Sequence, residues 1–214
     1  MLLVCEIFHS IQGETTRAGF PSLFVRLAGC NLDCSWCDTP EARSGGRPVP
    51  IHKIVKRAQS LRGLDHITLT GGEPLVQEGS IELMGVLIQK GFQVQLETNG
   101  SLPVRDVPSG VRKILDVKTP SSGHAGSFLM ENLDCLSERD EIKFVISGRG
   151  DYAFVKRFVK KNLEKSPAAV NLSPVHGAVP APLLARMILS DGLRVRLNCQ
   201  LHKILWPRGE PKDV

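Results

Sequence analysis

The sequence predicts an α/β protein whose parallel strands form an incomplete β/α barrel with trimmed helices. Segments rich in β-branched and apolar residues alternate with segments of helical period, which is typical of βαβ units. Two connections, residues 99–111 and 119–136, are too short or too rich in glycine and proline for a full crossover helix. We therefore expect one domain over residues 1–214, with a doubly wound sheet as the alternative to the open barrel.

Each element follows from local pattern. The predicted strands cover residues 2–8, 23–27, 67–70, 93–97, 114–117, 142–146, 169–172 and 195–199. Apolar residues spaced by three and four predict helices over residues 51–61, 81–88, 154–163 and 183–188. Pro50 suits the first turn of the first helix, and Ser80 and Asp151 are the expected N-caps of the second and third. In such sheets ligands gather at the carboxyl ends of the strands, where the motifs below lie.

Composition excludes several classes of function. Hydrophobic residues make up 42% of the chain, and no apolar run approaches the ~20 residues of a membrane span. The net charge is +5, but the basic residues are dispersed, and aromatic residues are only 5% of the chain, so a base-stacking surface is not expected. We expect a cytoplasmic protein with no nucleic-acid or membrane partner.

Three of the six cysteines, Cys30, Cys34 and Cys37, follow the strand that ends at Leu27, with the spacing C-x3-C-x2-C. Three thiolates on one loop can bind three irons of a cubane cluster and leave the fourth iron open. A structural zinc site would need a fourth ligand, for which His52 is the nearest candidate. Unligated buried cysteines are the third reading.

A second motif joins the cysteines. Thr70-Gly71-Gly72-Glu73-Pro74 follows another strand, and with the aromatic Trp36 before Cys37 it resembles the radical S-adenosylmethionine superfamily. The resemblance implies a 4Fe–4S cluster on Cys30, Cys34 and Cys37, with S-adenosylmethionine bound at the open iron. In this superfamily the pair generates a 5′-deoxyadenosyl radical that abstracts a hydrogen from the substrate.

The wider sequence narrows the resemblance to the 7-carboxy-7-deazaguanine synthases. It rests on residues 8–14, 24–27, 37–39, 70–74, 97–100, 116–123, 140–145 and 200–203, and thus covers most of the chain. These enzymes contract the ring of 6-carboxytetrahydropterin with loss of ammonia, on the route to queuosine and other deazapurines. Three positions depart from the family pattern: Thr15 replaces a glycine, Ser173 replaces a glutamine, and Glu210 follows Arg208-Gly209 in place of valine.

The resemblance implies three sets of site residues. The pterin substrate is expected on Ile11, Gln12, Gly13, Glu14, Arg26, Thr70 and His202. S-adenosylmethionine is expected on Trp36, Cys37, Asp38, Gly72, Asp116, Val117, Lys118, Ser173, Pro174, Val175 and His176. A magnesium ion that also meets the substrate is expected on Thr39. Without the resemblance, Arg26 suits a structural salt bridge equally well, Lys118 suits a surface lysine, and His202 suits a structural histidine.

Further partners also follow from the resemblance. We expect a homodimer and a reducing electron donor such as flavodoxin. Two alternatives carry other functions: an activase that places a glycyl radical on a partner protein, and a zinc-bound RNA-binding module without catalysis. The activase would not need Gln12, Glu14 and Arg26 arranged for a small polar acid.

Overall fold

The computed structural model describes residues 1–206, so the departure at Glu210 lies outside the described residues. Nine strands of one sheet fall within this range. They are β1 (Leu2–Ile11), β2 (Pro21–Leu27), β3 (Arg47–Val49), β4 (His66–Gly71), β5 (Gln93–Thr98), β6 (Arg112–Asp116), β7 (Glu141–Ile146), β8 (Ala169–Pro174) and β9 (Arg196–Leu197). All eight predicted strands are present, and the short strand β3 was not predicted.

The strand order is β3-β1-β2-β4-β5-β6-β7-β8-β9. From β2 to β9 the strands are parallel and follow the chain order without reversal, so the doubly wound alternative is wrong. The sheet is open, and the predicted partial barrel is confirmed. The prediction of a fully parallel sheet is wrong at one edge, because β1 runs antiparallel to both β2 and β3.

Five α-helices are described within residues 1–206. They are α1 (Ile51–Ser60), α2 (Gly79–Gln89), α3 (Arg149–Phe158), α4 (Ala181–Asp191) and α5 (Leu201–Leu205). The connection from β5 to β6 holds no helix, and the one from β6 to β7 holds only short 3-10 turns, as predicted. None of the helices in this part of the chain is long and apolar enough to cross a bilayer.

The two predicted N-caps are wrong. Helix α2 begins one residue before Ser80, which is buried in its first turn. Helix α3 begins at Arg149, so Asp151 lies within the first turn. There its carboxylate accepts hydrogen bonds from the Ser147 amide at 2.9 Å and from the Ser121 amide at 3.0 Å. Asp151 thus ties the start of α3 to a loop beyond the helix.

The barrel separates an apolar outer face from a polar interior. Along β5, Val94 and Leu96 are buried in the hydrophobic core, together with residues of α2 such as Leu83 and Leu87. The alternate residues of each strand point to the opposite face of the sheet. On β5 these include Gln95 and Glu97, and the same alternation on β4 and β7 turns threonine, glutamate and lysine inward. A polar interior of this kind suits a ligand cavity better than a packed core.

Residues 12–15 of the loop between β1 and β2 are buried inside this polar interior, whereas Thr16 and residues 18–20 are exposed. Because β1 runs opposite to the parallel strands, the loop enters the barrel at their amino-terminal ends. The Gln12 amide donates to Thr68 on β4 at 3.1 Å, and the Thr15 backbone amide donates to Asn198 at 3.0 Å. The Thr16 amide and hydroxyl both donate to the buried carboxylate of Glu141 on β7. One loop thus contacts residues on or next to strands that are far apart in the strand order, so the sheet must curve around it. We call residues 12–16 the plug.

Thr15, which stands where the family has glycine, has φ +70°. It is the single non-glycine residue with a positive φ among residues 1–206. For a β-branched residue the left-handed region costs about 1–2 kcal/mol. The Thr15 hydroxyl donates to Gln95 at 3.4 Å and accepts from the Arg17 amide at 3.1 Å. These bonds offset the strain, so the plug keeps the conformation that a glycine would allow.

Glu141 is the anchor of the plug, and its removal tests this description. Glu141 is fully buried and also accepts from Arg112 and Asn171. We expect Glu141→Ala to lower the free energy of unfolding by about 3–5 kcal/mol, because it leaves the half-buried Arg112 and two polar groups, of Thr16 and Asn171, without their acceptor. Urea denaturation followed by circular dichroism measures the change.

The matched control is Glu131→Ala, which removes an exposed ion pair with Arg105. We expect this variant to change the free energy of unfolding by about 1 kcal/mol or less. Equal effects of the two substitutions would contradict the anchoring role of Glu141.

Candidate active site

A single cavity of about 600 Å³ reaches from the plug to the carboxyl ends of the strands. Most of the residues predicted for the site line it: Ile11, Gln12, Gly13, Glu14, Arg26, Cys30, Cys34, Trp36, Cys37, Asp38, Thr39, Thr70, Gly72, Asp116, Lys118, His176 and His202. The structure therefore brings the three cysteines and the predicted pterin residues into one space.

Four predicted residues do not line the cavity: Val117, Ser173, Pro174 and Val175. Val117 is fully buried in the core, because it points to the face of β6 opposite Asp116. Ser173 is fully buried as well, and its hydroxyl accepts from the Asn198 amide at 2.9 Å. The Val117 amide donates to the Lys143 carbonyl at 2.9 Å and the Val175 amide to the Ile146 carbonyl at 2.9 Å, so these groups serve the fold.

The cluster loop, residues 29–39, is braced from one side by the segment after β6. The Ser35 amide donates to the Ser122 carbonyl at 3.2 Å, and the Trp36 indole donates to the Ser121 hydroxyl at 2.9 Å. Ser121 in turn donates to Asp151 at 2.6 Å. Burial alone would raise the pKa of Asp151, but the hydrogen bonds from Ser121 and Ser147 outweigh it and lower that pKa. An ionised Asp151 thus fixes the brace of the cluster loop.

The Gly71-Gly72-Glu73 motif holds the other side of the cluster loop. The Gly72 amide donates to the Leu27 carbonyl at 3.0 Å, and the Glu73 amide donates to the Gly29 carbonyl at 2.8 Å. A Cβ on Gly72 would lie 2.1 Å from the Gly29 carbonyl oxygen, so only glycine permits this approach. The glycines therefore bring two backbone segments together, in addition to opening the cavity wall at Gly72.

The carboxylate of Glu73 does not serve a ligand. It is fully buried and accepts from the Thr98 hydroxyl at 2.8 Å and the Asn99 amide at 2.6 Å. Burial is the main cause that raises its pKa, against these hydrogen bonds. Glu73 therefore fixes the end of β5.

Arg26 and Glu14 lie at the plug end of the cavity. The Arg26 guanidinium contacts Glu6 through a single Nε–Oε2 distance of 3.4 Å and lies 5.4 Å from the Phe8 ring centroid. The structural salt bridge considered for Arg26 is thus present, but it engages one nitrogen of a group that has five N–H donors. Glu14 contacts Lys143 through Oε2, whereas its buried Oε1 has no hydrogen-bond partner.

Four charged residues of the cavity were not predicted as site residues: Arg43 and Lys203, which lie outside the strands, and Glu97 and Lys143, which lie on β5 and β7. Glu97 accepts from Gln12 at 3.3 Å, from Gln95 at 3.2 Å and from Thr70 at 3.0 Å. Glu97 and Lys143 both occupy inward positions of strands whose other face is apolar. A charged residue between two core positions of a strand is the sequence signal that could have identified them as site residues.

At the other wall, Asp116 and Lys118 pair at 3.1 Å, and Lys118 lies 5.5 Å from the Trp36 ring centroid. Lys118 is therefore a buried cation of the cavity and not a surface lysine. The second oxygen of Asp116, Oδ1, is buried without a hydrogen-bond partner. An orphaned acceptor beside the cysteine loop is suited to an N–H or O–H donor on a ligand.

Helix α5 closes the remaining side. His202 belongs to this helix and not to the end of the last strand, since β9 ends at Leu197. Its imidazole packs against Gly13, where an added Cβ would lie 2.1 Å from Nδ1. The Leu201 amide donates to the Gly13 carbonyl at 2.8 Å, and Lys203 pairs with Asp38 at 3.0 Å. Helix α5 therefore joins the plug to the cluster loop.

The donors around the cysteines fit a cluster better than a single ion. Cys30, Cys34 and Cys37 are free thiols facing the same cavity. In the described part of the chain, no three cysteine, histidine or carboxylate side chains converge as ligands of one metal ion. Thiolates of a cubane cluster each bind a different iron, so they need not converge on one point. His52 lines another groove, with α1 and α2, and does not supply a fourth ligand here.

The glycine contact at the cluster loop generates a prediction. We expect Gly72→Ala to cut the iron and sulfide bound after anaerobic reconstitution to less than about half, because a Cβ 2.1 Å from the Gly29 carbonyl displaces the loop. Gly85→Ala on α2 is the control, since its Cβ meets nothing within 4 Å. Full cluster loading in Gly72→Ala would contradict this role.

Comparison with known proteins gives the family. The model of the radical SAM superfamily matches residues 25–176. A 7-carboxy-7-deazaguanine synthase of Koribacter versatilis is 42% identical over 95% of this chain and 96% of its own length. One of Methanospirillum hungatei is 39% identical over 94% of this chain and 84% of its own. The crystal structure of QueE from Escherichia coli has a TM-score of 0.76 and 24% identity, and covers 94% of both chains. The chain is a radical SAM enzyme and belongs to the 7-carboxy-7-deazaguanine synthase family.

Proposed function

We propose that this chain converts 6-carboxytetrahydropterin to 7-carboxy-7-deazaguanine with loss of ammonia. The observation that carries the proposal is the unpaired, buried Oε1 of Glu14 in the same cavity as Cys30, Cys34 and Cys37. A buried acceptor of this kind requires an N–H or O–H donor from a ligand. The relatives' name supplies the reaction, and the polar cavity supplies groups for a ring rich in donors and acceptors.

The family implies a 4Fe–4S cluster and S-adenosylmethionine, which the residues fit. When bound, the pair supplies a 5′-deoxyadenosyl radical that abstracts hydrogen from the substrate. Cys30, Cys34 and Cys37 would hold the cluster. Asp116 would accept from a donor group of S-adenosylmethionine through its free Oδ1, and Lys118 holds the other Asp116 oxygen in place.

The substrate would lie at the plug end. Gln12 and Glu14 would hold the hydrogen-bonding edge of the pterin, with His202 and Thr70 beside it. Arg26 would bind the substrate carboxylate, because its remaining N–H groups can form the bidentate pair that a guanidinium offers. The buried cavity excludes water and holds substrate and cofactor at fixed orientation, which is the protein's main contribution to radical chemistry.

Magnesium and the partners belong to the same proposal. Thr39 faces the cavity and would give one hard oxygen ligand, with substrate oxygens and water completing the shell of Mg²⁺. Asp38 is held by Lys203 next to it. We also propose a cytoplasmic homodimer that takes electrons from a reducing donor such as flavodoxin; the six free thiols agree with a reducing compartment.

A turnover assay tests the function. We expect the anaerobically reconstituted chain, with reductant, S-adenosylmethionine and 6-carboxytetrahydropterin, to form 7-carboxy-7-deazaguanine and ammonia, and to do so faster with Mg²⁺. Liquid chromatography with mass spectrometry measures the product and 5′-deoxyadenosine. Release of 5′-deoxyadenosine from an intact cluster without the deazaguanine would contradict the substrate assignment. A glycyl-radical signal on a partner protein without pterin turnover would favour the activase.

Two cysteine variants serve as controls for this assay. Cys34→Ala removes a thiol of the cavity and is expected to abolish both product and 5′-deoxyadenosine. Cys135→Ala removes a thiol in the 3-10 turn before β7, outside the cavity, and is expected to retain both.

A further inference from the structure

Lys143 is a buried cation at the plug end of the cavity. It lies in the middle of β7, in register with Asp116 on β6, and its side chain is only 15% exposed. Its ammonium contacts Glu14 Oε2, and Glu97 and Asp116 also attract it. Lys143 therefore lies between the expected substrate residues and the expected cofactor residues.

The contact with Glu14 leaves that carboxylate half engaged. One oxygen is held by Lys143, and the other is buried in the cavity without a partner. The ion pair of Lys113, on the neighbouring strand β6, has no such unsatisfied oxygen. Lys113 pairs with Asp140 at 3.0 Å, and both Asp140 oxygens also accept from backbone amides, of Lys113 and Ser137. The pair of Glu14 and Lys143 thus leaves one carboxylate oxygen open to the cavity, whereas the pair of Asp140 and Lys113 leaves neither carboxylate oxygen without a donor.

We propose, on the basis of the function above, that Lys143 is a positioning residue for substrate binding. Its ammonium holds Glu14 against the cavity wall as an acceptor with one open oxygen. This arrangement selects a ligand that presents neighbouring N–H donors, as the cyclic guanidine edge of a pterin does. A ligand that presents only acceptors at this point would face an unpaired carboxylate oxygen.

Lys143 also favours the charged form of Glu97, although burial leaves the pKa of this carboxyl above its usual range. Burial raises the pKa of Glu97, and the Lys143 ammonium is the main influence that lowers it. The three N–H and O–H donors around Glu97 suit a carboxylate, which accepts only. Lys143 itself stays protonated, because attraction to Glu14, Asp116 and Glu97 outweighs its burial and raises its pKa. It is therefore a fixed charge and not a source of protons.

The charged groups that face this cluster come from every wall of the cavity. Glu14 lies on the plug, Glu97 on β5, and Asp116 on β6, with Lys118 just after β6. Arg26 acts on Glu97 from β2, and Asp38 interacts with Lys143 from the cluster loop. Without the lysine, carboxylates outnumber cations at the plug end, and Glu97 loses the main influence that lowers its pKa, so it would take up a proton at higher pH.

Binding of pterin-6-carboxylate, a fluorescent and unreactive analogue, tests the proposal. The reconstituted enzyme with S-adenosylmethionine is titrated with the analogue, in the wild type and in Lys143→Met. We expect the dissociation constant to rise about tenfold or more in Lys143→Met, and the loss of binding in acid to move to higher pH. Lys113→Met is the matched control, and we expect it to keep the wild-type dissociation constant within about twofold.

A double-mutant cycle identifies the route. If Lys143 acts through Glu14, the double variant Glu14→Gln/Lys143→Met binds no more weakly than the weaker single variant. The double variant also leaves no buried charge unpaired at this contact. If Lys143→Met folds poorly, binding to the double variant can therefore still be measured and compared with binding to Glu14→Gln. Additive losses, or equal losses in Lys143→Met and Lys113→Met, would overturn the proposal.

The binding measurement also distinguishes failure of the proposed role of Lys143 from failure of the proposed reaction. Wild-type binding that depends on Lys143, without carboxypterin turnover, would leave this inference standing and remove the proposed reaction. Turnover by the wild type together with unchanged binding in Lys143→Met would support the proposed reaction and overturn the role of Lys143.

Discussion

The burial of the plug inside the barrel is the constraint on which the rest of the structure depends. A parallel barrel offers its ligands the carboxyl ends of its strands and fills its interior with side chains. Here β1 runs against the parallel strands and brings a polar loop in from the amino-terminal end. The Thr15 and Thr16 amides donate to Asn198 and Glu141, so burial of the loop does not leave these backbone groups unpaired.

The plug explains why the interior of the barrel is polar. Strands β4, β5 and β7 direct Thr68, Glu97, Lys143 and Glu141 toward it, and each contacts the plug. The opposite faces of the same strands supply the apolar core beneath the helices. A cavity therefore forms between two structured ends: the plug below, and the cluster loop above. Helix α5 contacts both, through Gly13 and Asp38.

Much of this organisation follows from the sequence. Eight of the nine strands could be predicted because they are rich in β-branched and apolar residues, and the four longer helices because their apolar residues repeat with a clear period. Strand β3 could not, since it includes Pro48 and forms an edge of the sheet. The direction of β1 could not be predicted either, because the composition of a strand does not encode the orientation of its partner.

The site could be predicted where motifs concentrate and not where the fold alone assembles it. The cysteine loop, Gln12, Glu14 and Arg26 all line the cavity as expected. Glu97 and Lys143 were missed because their partners lie 85 and 129 residues away in the chain, on the plug. The structural role of Glu73 could not be predicted for a related reason, because the Thr98 and Asn99 groups that satisfy its carboxylate belong to another strand end.

The central claim is that one cavity holds the pterin at the plug within reach of S-adenosylmethionine at the cysteine loop. Hydrogen transfer between the two measures this directly. The enzyme is given 6-carboxytetrahydropterin deuterated at its ring carbons, and 5′-deoxyadenosine is analysed by mass spectrometry. Transfer of deuterium into 5′-deoxyadenosine during product formation is the result we expect. Product formation with 5′-deoxyadenosine free of deuterium would contradict the account.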